Sequence, residues 1–331
     1  MRFRTEIEIE KQQPTIGYSD SIICVGSCFA ENVGLRFLNY RFKVLINPFG
    51  ILFNPMSVAQ MLEWMMHDDL FLEKDLVLHD GLWHSLLHHG SFSSSIKEET
   101  LMHINSSLVK ARKEFKDCNH LFLTFGTSWV YEHVEKQQIV ANCHKMPDRI
   151  FNRFRLNVEE IVEVYKNLIV RMLELNPKVQ VVLTVSPVRH WKDGAHGNQL
   201  SKSVLLLAID QLVKLFECVS YFPSYELVLD DLRDYRFYDE DMLHPSSVAI
   251  DYVWEKFAGS WLGDDTKACC KAIEPLIKAR YHRPLHPSGE SYRVFLNSML
   301  RKIQQLNDVY PLLNLEDDKR YFENELTKTQ F

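Results

Sequence analysis

The chemistry most legible in this chain belongs to Ser27. Ile22-Ile23-Cys24-Val25 is an apolar run that stops at Gly26-Ser27, and Phe29, Val33, Phe37 and Leu38 then recur with helical spacing. Strand, tight turn and helix in that order place Ser27 at the C-terminal edge of a parallel sheet. There it also begins a helix, whose unpaired N–H groups can hold a developing oxyanion. A nucleophilic serine belongs in that position. Cys28 is the adjoining alternative, because a thiolate at a helix N-terminus is activated, but its position turns it toward the helix interior.

A serine hydroxyl is a weak nucleophile and needs a histidine that is itself oriented by a carboxylate. An Asp-x-x-His segment can supply both, since one turn brings the carboxylate back to the ring. The chain has Asp117-Cys118-Asn119-His120, Asp193-Gly194-Ala195-His196 and Asp241-Met242-Leu243-His244. His120 precedes its strand and falls at the wrong edge of the sheet. His196 follows a strand and competes. His244 follows the last strand, precedes a helix after Pro245, and completes the order Ser, Asp, His, so Asp241 and His244 are the expected partners of Ser27. His84, His88 and His89 are the candidate metal ligands. No HExxH and no nearby acidic third ligand accompanies them, so no metal is expected.

The elements that must position these residues follow from periodicity. Strands are expected at Phe42–Ile46, His120–Phe125, Val179–Val185 and Glu217–Tyr221, and helices at about 31–40, from Asn54, and over 98–115, 157–175, 199–216 and 246–262. The almost wholly apolar Val179–Val185 suits a central parallel strand. Alternation at this spacing specifies a doubly wound α/β sheet with ligands at the C-terminal strand ends. Met1 to Glu10 alternates apolar with charged residues like a strand with one solvated face. Three further helices, over 266–281, 291–306 and 315–328, form a C-terminal extension that could be an appendage, a lid or a surface for homo-oligomer formation. The expected domains are 1–262 and 263–331.

Gly26-Ser27-Cys28-Phe29-Ala30 spells GSCFA, and from about Tyr18 to Leu262 the chain resembles the GSCFA family, a branch of the SGNH or GDSL-like serine hydrolases. Asn47-Pro48-Phe49-Gly50, Asn142-Cys143-His144-Lys145, Ser186-Pro187-Val188-Arg189-His190 and Asp241-Met242-Leu243-His244-Pro245 carry the likeness in order. The resemblance implies a flavodoxin-like α/β/α sandwich and esterase or acyltransferase chemistry using serine and no cofactor. It implies a Ser27–His244–Asp241 centre acting on acyl esters, with O-acetyl carbohydrates as an analogy from the wider class. In that class a glycine N–H from the second block helps to bind the oxyanion, and Gly50 resembles it by position. Where the class carries Gly-x-Asn-Asp, this chain has Ser128, so the third donor is Asn142 or the hydroxyl of Ser128 or Thr127. Arg189 and His190, at a strand end in a matched block, are expected to contact substrate. Loss of the usual asparagine favours a second reading, a non-catalytic small-molecule or carbohydrate-binding module.

Composition narrows the setting. A chain of 331 residues, 46% hydrophobic and 25% charged, is ordinary for a globular protein with a large core. A net charge of -6 without a basic stripe argues against a nucleic-acid partner. Seven cysteines cannot all pair, and Cys269 adjoins Cys270, so a reducing compartment is expected. The N-terminus lacks the apolar core of a signal peptide, and no stretch approaches the ~20 apolar residues that cross a bilayer. A cytoplasmic protein with no membrane partner is the expectation.

Overall fold

The computed structural model describes residues 5–329. The chain runs β1 (Ser21–Gly26), α1 (Cys28–Asn39), β2 (Lys43–Ile46), α2 (Pro55–Met66), β3 (Leu76–His79), β4 (Leu82–Ser85), α3 (Lys97–Lys116) and β5 (His120–Phe125). Then come β6 (Trp129–His133), β7 (Gln138–Val140), β8 (Phe151–Arg155), α4 (Val158–Leu175), β9 (Gln180–Val185), α5 (Gly194–Leu215), β10 (Val219–Tyr221), α6 (Ser224–Glu226) and α7 (Ser247–Trp261). The last three helices are α8 (Asp264–Arg280), α9 (Glu290–Val309) and α10 (Glu316–Lys328). Two compact units form: the described residues of Met1–Ile9, Ser21–Leu35 and Val44–Lys256, and those of Glu10–Asp20, Arg36–Lys43 and Phe257–Phe331.

The first unit is a three-layer α/β/α sandwich on a parallel sheet of order β2-β1-β5-β9-β10. β1 and β5 are buried along their whole length, which is why apolar residues run consecutively in Ile22–Val25 and Leu121–Leu123 rather than alternating. Strand order reverses between β1 and β5, and a crevice at such a reversal, outside the C-terminal strand ends, is where sheets of this kind bind ligands. Register aligns Gly26 with Thr124 and Phe125 with Val185. The same register sets His120 beside Ile22, roughly 13 Å below Gly26 at a strand rise of about 3.3 Å per residue, so His120 is at the opposite edge from Ser27. The core is continuous from Ile23 and Val25 through Leu121, Leu123 and Val181 to Leu205 and Leu212.

Local signals acted as expected in several places. Asn157 and Glu160 form a reciprocal capping box at α4, and Asn54 caps α2 ahead of Pro55. Other expectations are corrected. Of the expected N-terminal strand, residues 1–4 lie outside the described residues and residues 5–10 form no strand; the Ile7 N–H is instead taken by the buried Asp231 carboxylate. The histidine-rich segment is a β3–β4 hairpin, so His84 and His88 do not share a helix face. A three-stranded antiparallel sheet, β7-β6-β8, also forms in the first unit.

The second unit is helical. Ile273, Leu276, Leu296, Ile303, Leu306 and Phe322 make its core. Asp318, fully buried on α10, receives a two-pronged pair from Arg41 with both contacts at 2.6 Å, and a further bond of 3.2 Å from Arg280. No helix among the described residues is long and apolar enough to cross a membrane.

Candidate active site

Gly26 is where β1 must stop. Its φ of +135° is disfavoured for any L side chain, and a Cβ there would lie 2.1 Å from the Thr124 carbonyl oxygen of the neighbouring strand. The turn is braced by Asn47, whose Oδ1 accepts from the Gly26 N–H at 2.9 Å, while its own N–H donates to the Cys24 carbonyl at 2.8 Å. Ser27 then caps α1. Its hydroxyl accepts the Phe29 N–H at 3.2 Å, and its carbonyl accepts from Ala30 and Glu31. The residue is 2% exposed, and its N–H reaches the Thr124 carbonyl at a long 3.4 Å.

The expected oxyanion donors are placed less simply. The Gly50 N–H donates to the Asn47 carbonyl at 2.7 Å, and the absence of a side chain lets His89 pack where a Cβ would be. Ser128, fully buried, donates through both its N–H (2.8 Å) and its hydroxyl (3.1 Å) to the Ser201 Oγ. Thr127 Oγ1 lies 3.0 Å from the same oxygen. Asn142 accepts the His144 N–H at 2.8 Å. None of these groups is hydrogen-bonded to Ser27 in the structure.

Among the three Asp-x-x-His segments, only one joins its own ends. Asp241 Oδ1 accepts from the N–H groups of Leu243 and His244, and Oδ2 meets His244 Nδ1 at 2.5 Å. These bonds, the His244 N–H and ring first, hold the Asp241 carboxyl down at about 2. Asp193 serves other partners, accepting from Arg153 at 2.5 Å and meeting His190 Nδ1 at 3.2 Å, while His196 is exposed. Asp117 lies at the C-terminal cap of α3. With Nδ1 engaged, His244 Nε2 has no partner among the described residues, and no hydrogen bond joins it to Ser27.

Arg189 ties the next loop to this one. Its guanidinium donates to the Met242 carbonyl and lies over the rings of Trp191, Tyr235 and Tyr238 at 5.0–5.6 Å. His190 is occupied by Asp193 and donates its N–H to Asn198 Oδ1 at 2.8 Å. Arg189 thus reaches the Asp241–His244 loop, and His190 stays with the start of α5.

A part of the site that sequence reasoning missed is the polar start of α5. Asn198 holds His190, Ser201 holds Thr127 and Ser128, and Lys202 Nζ donates to the carbonyls of Gly126 (2.7 Å) and Ser186 (2.6 Å). A signal was present: Asn198, Ser201 and Lys202 fall on the stripe that Leu205, Ala208, Ile209 and Leu212 continue into the core, where polar side chains need a reason.

The remaining candidates are structural in this arrangement. Burial raises the Cys28 thiol, which is the reverse of nucleophile activation. His84 stacks on His144 at 4.2 Å and His88 on Phe49 at 4.1 Å. Burial lowers His88 to about 3 and His144 to about 4, so both rings are neutral. Among the described residues, no group of three or more His, Cys, Asp or Glu side chains could hold a metal ion.

No curated protein matches the chain. The family comparison does match, and it covers the turn, the two strand-end loops and the Asp241–His244 segment just described. It extends over residues 21–257 for the GSCFA family and over residues 273–328 for the GSCFA domain protein, C-terminal domain, and the chain therefore belongs to the GSCFA family.

Proposed function

We propose that the chain is a serine-dependent esterase or acyltransferase of SGNH-like type, acting on acyl esters, with O-acetylated carbohydrates as the favoured class. The observation that carries this reading is the Asp241–His244 pair, whose bonded Nδ1 leaves Nε2 open as a base. It accompanies a serine at the strand-order reversal, where such sheets bind ligands. Reaction requires the Ser27 hydroxyl to leave the Phe29 N–H and meet His244 Nε2; catalytic hydrogen bonds often tighten only in the substrate complex. His244 takes the hydroxyl proton as Ser27 Oγ bonds to the ester carbonyl carbon, whose π pair moves onto oxygen. Collapse breaks the ester C–O bond, and the departing alcohol takes the proton from His244. Water or an acceptor hydroxyl then attacks the acyl-serine and gives its proton to His244; the acyl C–Oγ bond breaks, Ser27 Oγ takes that proton back from His244, and acid or a new ester is released.

Hydrolysis of 4-nitrophenyl acetate and release of acetate from an O-acetylated oligosaccharide test the reading. Turnover that disappears in Ser27→Ala supports it; equal turnover by Ser27→Ala contradicts it. The seven free cysteines support a reducing, cytoplasmic setting.

A binding module remains the second reading, favoured by the Ser27 hydroxyl capping its own helix and by Ser128, which is committed to Ser201. Saturable capture of an acetylated oligosaccharide without turnover would select it.

A further inference from the structure

Lys202 is fully buried on α5, yet no carboxylate faces it among the described residues. An ammonium taken out of water is costly unless paired, and a methionine or leucine would fill the same stripe without that cost. Its two hydrogen bonds go to the carbonyls of Gly126 and Ser186, which directly follow β5 and β9. Gly126 underlies the serine: a Cβ built on it would stand 3.5 Å from the Ser27 Cβ. The ionisable groups facing Lys202 are the Cys28 thiol from α1, one residue beyond Ser27, and the Tyr225 ring from α6, centred 5.6 Å away; β5 and β9 turn carbonyls toward it.

We infer that Lys202 is a positioning residue of the Ser27 site, a buried cation that joins the two strand ends beneath the serine and whose field favours the negative charge developing at that turn. The inference rests on the reading of Ser27 as the nucleophile. A positive charge in a water-poor site is worth more than at the surface and needs no reorganisation when the oxyanion forms.

The clamp and the charge separate with pH. Burial lowers Lys202 to about 7, so the cation is present below that pH and lost above it. A neutral amine still has two N–H donors, enough for both carbonyls, so raising the pH removes the field and leaves the strand ends tied.

The rate of fluorophosphonate labelling at Ser27 tests this, followed from about pH 5.5 to 9 in the wild-type chain, Lys202→Gln and Lys202→Met. Glutamine keeps two N–H donors without charge. The wild-type rate is expected to fall as pH rises through about 7. Lys202→Gln should be slower by about tenfold or more at pH 6 and should lose that alkaline decline. A folded Lys202→Gln with the wild-type rate and profile overturns the inference while leaving the Ser27 reading in place. An alkaline decline that persists unchanged in Lys202→Gln also overturns it. Absence of labelling at Ser27 in the wild-type chain overturns both.

Discussion

Arg189 donates a hydrogen bond to the carbonyl of Met242, and Met242 has a left-handed backbone with φ of 59° between Asp241 and His244. A non-glycine residue in that region is uncommon and persists when its surroundings over-determine it. Here the surroundings are Asp241, which accepts from the Leu243 and His244 N–H groups, and Arg189, which donates to the carbonyl the turn exposes. The loop after β9 thereby helps fix the orientation of the base on a different loop.

Arg189→Met should therefore reduce kcat for ester hydrolysis by about tenfold, through a less ordered His244, while the melting temperature falls only modestly, because methionine keeps an apolar contact with the surrounding rings and one hydrogen bond is lost. Steady-state kinetics beside a thermal melt checks it. A rise in KM alone would instead assign Arg189 to substrate contact.

Asp241→Asn should lower kcat by ~10²–10⁴-fold, because the amide can present N–H to the ring and select the wrong tautomer. The sign of the pH effect follows from the carboxyl being held at about 2, below its ordinary value. Its stabilising bonds are fully present above the ordinary carboxylate range and are lost only as pH falls through about 2. His196→Ala, at an exposed histidine whose aspartate faces Arg153 and His190, should leave kcat unchanged.

Much of this site was legible because it is built from local signals. Gly26-Ser27 at the end of an apolar run, the Asn157 capping box and the apolar β9 each need only neighbouring residues, and each formed as expected. Elements held by distant partners were not legible. β6, β7 and β8 are short and half-buried, and their stability comes from pairing with one another, such as Tyr131 opposite Val140 and Arg153. The reverse occurred at Thr5–Glu10, where alternation had no strand edge to join. The α5 helix begins at Gly194, ahead of the expected Gln199, because Gly194 and Gly197 weaken the helical signal in a segment that Asn198, Ser201 and Lys202 anchor through tertiary bonds.

Gly26→Ala should be among the most damaging single changes. The added carbon would meet the Thr124 carbonyl at 2.1 Å on a backbone already at φ of +135°, so β1 and β5 must separate where they meet the site. A loss of about 3 kcal/mol or more in urea unfolding is expected. A loss below 1 kcal/mol would show that the turn can adopt another shape.

Asp318→Ala should destabilise the helical unit by ~3–5 kcal/mol, since it strands Arg41, which is 15% exposed, and removes a partner of Arg280. Limited proteolysis should then cut first in residues 264–328. Unchanged resistance would mean that the arginines find other partners.

The most direct test of the central claim is to treat the folded chain with a fluorophosphonate and locate the adduct by mass spectrometry, with Ser27→Ala and His244→Ala in parallel. The account predicts one adduct, on Ser27, absent from Ser27→Ala and slowed by ~10²-fold or more in His244→Ala. An adduct on another residue, or labelling of Ser27 at the same rate without His244, would contradict it.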